Sequence, residues 1–164
     1  QSKPMIRKIL IYIGIGLVLL TVQGILGPWL SIQKIRPDFI LILVLFIGQK
    51  EGKIFGQLAG FSMGLIVDLL GMSSFLGLSC FVMTLSGFLA GFLKNQKSKM
   101  NIFSYYLMVL LICFIHFFLL YSIYYHSLDL SLQYRLVRYI FPSIIYTGVF
   151  YFLIEFIFSR QTVR

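Results

Sequence analysis

Asp38, Asp68, His116 and Glu155 are the residues of this chain whose chemistry matters most, because each stands in or beside an apolar run. Two aspartates in such surroundings suggest the acid–base pair of an intramembrane aspartic protease, where neighbouring carboxylates share a proton. Both lie near the ends of apolar runs, however, and neither carries the local motif of those proteases. His116 stands in the middle of its run with no acid within one turn. A lone membrane histidine can relay protons, but a packed, hydrogen-bonded imidazole is the expectation here. Cys80 and Cys113 form no C-x-x-C and no zinc spacing, and they read as buried thiols. Gln23 and Gln57 are mid-run amides suited to interhelical hydrogen bonds. Gly77-Leu78-Ser79-Cys80 does not match the G-x-S-x-G elbow, and H-E-x-x-H and phosphate-cradling glycine loops are missing. The residue types therefore predict a protein that is not an enzyme and uses no cofactor and no metal.

The elements that position these residues must be apolar helices. Of 164 residues 59% are hydrophobic and 12% charged, with a mean hydropathy of +0.94. Soluble domains carry about 25% charge, so this chain lacks the polar surface a water-soluble fold requires. The net charge of +9 sits at the ends of apolar runs. It points to membrane topology and anionic lipid headgroups, not to nucleic acid. Six spans of one integral membrane domain, 1–164, can be drawn at 9–30, 37–48, 54–70, 75–93, 102–125 and 136–158. The predicted fold class is an all-α polytopic membrane protein, a six-transmembrane-helix bundle with short connections. The first run opens with Lys3, Arg7 and Lys8 like a signal peptide, but its length and the spans that follow predict a retained helix. Pro28 and Trp29 are expected interfacial anchors at its far end. The second span is short, about 18 Å of helix against a hydrocarbon core of about 30 Å. Charge counting favours a full crossing. With six spans and both termini cytoplasmic, ten Lys and Arg lie inside and four outside, against nine and five if the second run re-enters.

Small residues mark where the helices meet. Gly52, Gly56, Gly60 and Gly64 recur every fourth position, with Asp68 on the next rung. Gly77, Cys80, Thr84, Gly87 and Gly91 form a second stripe in the following span. Residues so spaced share one helix face, and small ones let two backbones approach in lipid. The third and fourth spans should pack as an antiparallel hairpin. Asp68 lies at the negative end of its own helix dipole and asks for a cation, so an ion pair to Arg36 or Arg138 is expected. Pro37 and Asp38 read as a helix start, with proline in the first turn and an acid at the positive dipole end. The fifth span has tyrosines at its ends, as an interfacial belt requires, and phenylalanines in its middle, expected to face lipid or a partner's helix. Glu155 is expected to reach toward Arg160.

At these residues the chain resembles the rod-shape-determining MreD family. The resemblance rests on Arg36-Pro37-Asp38, the charged turn Lys50-Glu51-Gly52-Lys53, and Gly60-Phe61-Ser62-Met63-Gly64 leading to Asp68-Leu69. It continues through Phe75-Leu76-Gly77-Leu78, where many members have proline in place of Phe75, and Gly87-Phe88-Leu89-Ala90-Gly91. It is specific over residues 36–91 and compositional elsewhere. The resemblance implies a non-enzymatic scaffold in the bacterial inner membrane that binds MreC. It further implies work with RodA, a class B penicillin-binding protein and, indirectly, MreB filaments in lateral peptidoglycan synthesis. It also implies a fold similar to the S-components of energy-coupling-factor transporters. The alternative function is therefore an S-component-like small-molecule-binding subunit, with Gln57, Thr84, Asp68 and Arg138 as its few polar candidates.

Overall fold

The structure is a computed structural model that describes residues 2–31, 35–70, 75–126 and 131–161. Its helices are α1 (Ser2–Leu30), α2 (Phe39–Glu51), α3 (Lys53–Leu69), α4 (Leu78–Gly91), α5 (Ile102–Tyr124), α6 (Leu132–Arg135) and α7 (Phe141–Gln161). A single π-helical turn, Leu136–Ile140, joins α6 to α7 without a break, so the described residues form six rods. Residues 32–34, 71–74 and 127–130, which belong to connections between the spans, lie outside the described residues. Polar side-chain caps start three rods, Asp38 at α2, Asn101 at α5 and Ser131 at α6. The Asn101 side chain accepts from Phe103 N–H at 3.3 Å, and the Ser131 hydroxyl accepts from Tyr134 N–H at 3.3 Å.

The centre of the bundle is α2. Ile40, Leu41, Ile42, Leu43, Val44, Leu45 and Ile47 are all buried, so apolar residues cover every side of this helix and every side has a neighbour. This explains its 13-residue length. A helix enclosed by protein need not match the thickness of hydrocarbon. On one side α2 packs against α3 and α4, and on the other it reaches α7, while α5 bridges α4 and α7. Helix α1 leans on α2 from outside. The outward faces are apolar: Leu10, Val18, Leu58, Leu111, Ile145 and Leu153 are all exposed. In water such surfaces would drive association; facing lipid they are at rest. Two rods, Ile102–Tyr124 and Leu132–Ile157, are long and apolar enough to cross a membrane by length and composition.

The fifth span departs from expectation in its aromatics. Phe103 is 72% exposed, but Tyr105 and Phe117 are 3% and 2% exposed and belong to the core with Ile112, Ile144 and Tyr151. Helix α5 is apolar all round, so its own periodicity selects no inner face; the position of α2 and α7 selects it.

Candidate functional site

The tightest part of the molecule is where α2, α3 and α4 meet. A Cβ on Gly56 would strike the Gly87 carbonyl, and one on Gly60 the Met83 carbonyl and Thr84 Cα. One on Gly64 would strike the Cys80 backbone, and one on Gly91 the Lys53 backbone. The order of these contacts makes α3 and α4 antiparallel. The obstacles are main-chain atoms, which cannot turn aside as a side chain can. Gly48 joins them from α2: a Cβ there would lie 2.8 Å from the Gly87 oxygen and 2.9 Å from Ala90 Cβ. Sequence reasoning passed over Gly48, although it stands one rung before Gly52 in the same four-residue rhythm. Gly52 and Gly77 do other work than the stripe predicts. Their φ angles of +101° and +92° suit glycine, and they turn the chain into α3 and α4. A Cβ at Gly77 would have nothing within 4 Å, and one at Gly52 would meet only the Lys94 side chain.

Asp68 is 2% exposed, and its carboxylate is turned to the start of α4. Oδ2 accepts from Gly77 N–H at 2.8 Å and Cys80 N–H at 3.1 Å, and Oδ1 from Ser79 N–H at 3.3 Å. The first amides of a helix have no partner within it, and they carry the positive end of its dipole. No side chain of α4's own cap satisfies them. An acid from α3 does so, and the two helices are locked at one end by charge-assisted bonds. The unfavourable dipole of α3 is thus offset by the favourable dipole of α4. The ion pair of Asp68 with Arg36 or Arg138 stands as a proposal beside this cap.

A second group of polar residues runs through the interior. Asp38 caps α2, its Oδ1 accepting from Leu41 N–H at 2.8 Å. Pro37 precedes the helix and does not sit in its first turn. It is fully buried and brings no N–H that would need a partner there. Asp38 N–H donates to the buried Thr147 hydroxyl of α7 at 3.2 Å. The other carboxylate oxygen, Oδ2, lies 3.7 Å from Nε2 of His116 on α5. His116 Nδ1 is 2.9 Å from the Ser86 hydroxyl of α4. One residue from each of four helices therefore converges around the broken start of α2. The acid that the local sequence around His116 lacks is supplied across the fold by Asp38. Among the described residues Asp38 and Asp68 serve different groups, Asp38 the start of α2 and Asp68 the start of α4.

Charged groups fasten the opposite end of the bundle. Tyr12 and Lys8 of α1 reach Glu51 Oε1 at 2.9 and 3.4 Å, and Lys94 Nζ donates to the Glu51 carbonyl at 2.8 Å. The Tyr12 hydroxyl first, and then Lys8, hold the Glu51 carboxyl below its ordinary pKa against the effect of burial. Glu155 pairs with Lys97. Burial opposes the Lys97 ammonium, but the Glu155 bond and charge outweigh it and raise its pKa. Lys53 stands 3.5 Å over the Phe92 ring. Beside the Lys97–Glu155 pair, α5 and α7 leave a groove of about 470 Å³ lined chiefly by Tyr106, Val149, Phe152, Leu153 and Phe156. The polar candidates for a small-molecule site are not gathered there. Asp68 is bound to amides, the Thr84 hydroxyl is spent on the Cys80 carbonyl at 2.6 Å, and Arg138 makes contacts of its own.

The glycine contacts of α3 with α4, the Asp68 cap and the Arg36-Pro37-Asp38 start of α2 are the structural content of the motifs noted in the sequence. No curated protein and no solved structure matches the chain. The family model described as rod shape-determining protein MreD matches residues 5–161, and the chain belongs to that membrane family, whose role is in rod shape determination.

Proposed function

We propose that this protein is a non-enzymatic scaffold of the bacterial elongation machinery. It sits in the inner membrane as a six-span bundle with both termini cytoplasmic, similar in layout to the S-components of energy-coupling-factor transporters. It binds MreC by helix contact within lipid, joins RodA and a class B penicillin-binding protein in a larger complex, and acts on MreB indirectly. The observation that carries this reading is how its polar groups are used. Asp68, Asp38, His116, Glu51 and Glu155 are all turned to other parts of the same chain, while the outward faces of the rods are apolar. A surface of that kind recognises lipid and other helices. An ion pair from Asp68 to Arg36 or Arg138 is part of the proposal, and a charge swap that fails to restore assembly lost in Asp68→Arg would count against it. Co-expression with the MreC homologue of the same bacterium tests the main claim: MreC should co-purify in mild detergent. Its absence from both the purified material and in-cell cross-links would overturn the reading.

A further inference from the structure

The hydrogen-bond pattern around His116 requires a proton that a neutral imidazole beside an ionised carboxylate does not supply. The Ser86 hydroxyl donates to the Val82 carbonyl at 2.8 Å. Having a single hydrogen, it must accept from His116, so Nδ1 carries the imidazole proton. In a neutral ring Nε2 is then a bare lone pair. His116 is 1% exposed, and Nε2 makes no hydrogen bond. Asp38 Oδ2 lies 3.7 Å from it. An ionised Asp38 would set an acceptor against an acceptor. It would also set there a negative charge offset by the first amides of α2 alone, since among the described residues His116 is its one ion-pair partner.

We propose that Asp38 and His116 bind one shared proton at the centre of the bundle. It resides on Asp38 Oδ2 or on His116 Nε2, and in either place it turns a facing pair of acceptors into a donor and an acceptor. The pair is then neutral as a whole, which suits a buried imidazole beside a half-buried carboxyl. The bond it closes ties the lead-in of α2 to α5, while Ser86 ties α5 to α4 and Thr147 ties the lead-in to α7. The other titratable groups that α5 brings to this region are Cys113 and Tyr121; Tyr121 is engaged with the Ser143 hydroxyl of α7 at 3.1 Å. From α4 and α7 the site is faced by the neutral hydroxyls of Ser86 and Thr147, and Arg36, two residues before Asp38, is exposed.

The chain has two histidines, so His126→Gln leaves His116 as a single imidazole signal. The ¹⁵N-histidine-labelled protein in lipid nanodiscs would be followed by NMR against pH. A difference infrared spectrum between it and Asp38→Asn would report the carboxyl. The expected result is a proton on Nδ1 at all pH values, with either an imidazolium or a protonated Asp38 persisting above neutrality. In the unfolded chain the histidine proton is lost near pH ~6.5. The folded state holds the shared proton to higher pH, so thermal stability should fall as pH rises above that value. Asp38→Asn, whose amide can donate to Nε2, should lose that dependence. A neutral imidazole protonated on Nε2 opposite an ionised Asp38 would overturn the proposal. So would an unchanged pH slope in Asp38→Asn; should that variant fail to fold, the NMR and a carboxyl infrared band from ¹³C-aspartate labelling of the Asp38-containing protein decide the question alone.

Discussion

At the scale of single residues, the molecule depends on a few atoms that have no room or no substitute. Asp68 serves three amides of α4, and hydrogen bonds to a charged acceptor are worth about 1.5–3 kcal/mol each before non-additivity. Asp68→Ala should therefore lower stability by roughly 3 kcal/mol or more, and Asp68→Asn by less, since one acceptor oxygen is kept. Unfolding in mixed micelles would measure both, and equal losses would show that the charge contributes nothing. The glycines divide more sharply. Gly56→Ala or Gly87→Ala puts a methyl into facing backbone and should destabilise by at least the ~1–3 kcal/mol typical of overpacking. Gly14→Ala meets nothing within 4 Å and should be neutral or stabilising by up to ~1 kcal/mol through helix propensity. Thermal shift of the three variants side by side checks the contrast.

Elements show a different balance between what is local and what is imposed. The α3–α4 hairpin was legible because its signal, small residues every three or four positions, is a property of each helix alone. The turns were less so. Gly52 and Gly77 keep the spacing of the stripes, yet their backbone φ decides their role, and spacing does not encode φ. Helix α1 is attached through one face, where Gly16 lies against the Met63 side chain and Tyr12 and Lys8 hold Glu51. Glu51→Ala should free the start of α1 and speed tryptic cleavage at Arg7 and Lys8 in nanodiscs, with little change elsewhere. The same loosening should follow acidification. The Glu51 pKa is lower in the folded protein than its ordinary 4.5, so its contribution is complete above that value and is lost as pH falls through the lower, folded one. An acid-stable protease that cleaves α1 no faster at low pH would refute this attachment.

For the whole molecule, the arrangement is a short helix, enclosed along its apolar length, wrapped by longer ones with apolar exteriors. The proposed six-span topology places residues 31 and 50 on opposite sides of the membrane. Cysteines introduced at Ser31 and at the exposed Lys50 should be labelled from opposite sides, against a low background from the buried Cys80 and Cys113. Labelling from one side would refute the full crossing of α2.

Composition and spacing alone determined that this chain is an all-helical membrane protein, that its third and fourth helices approach through glycine, and that residues 36–91 carry a family pattern. Each of these follows from hydropathy or from periodicity along one helix, which are written locally. The tertiary structure alone decided that Asp68 caps α4, that α2 is the core, and that Asp38 faces His116. Those partners are 9 to 78 residues apart in the chain, and a buried polar group takes whatever donor the fold delivers to it.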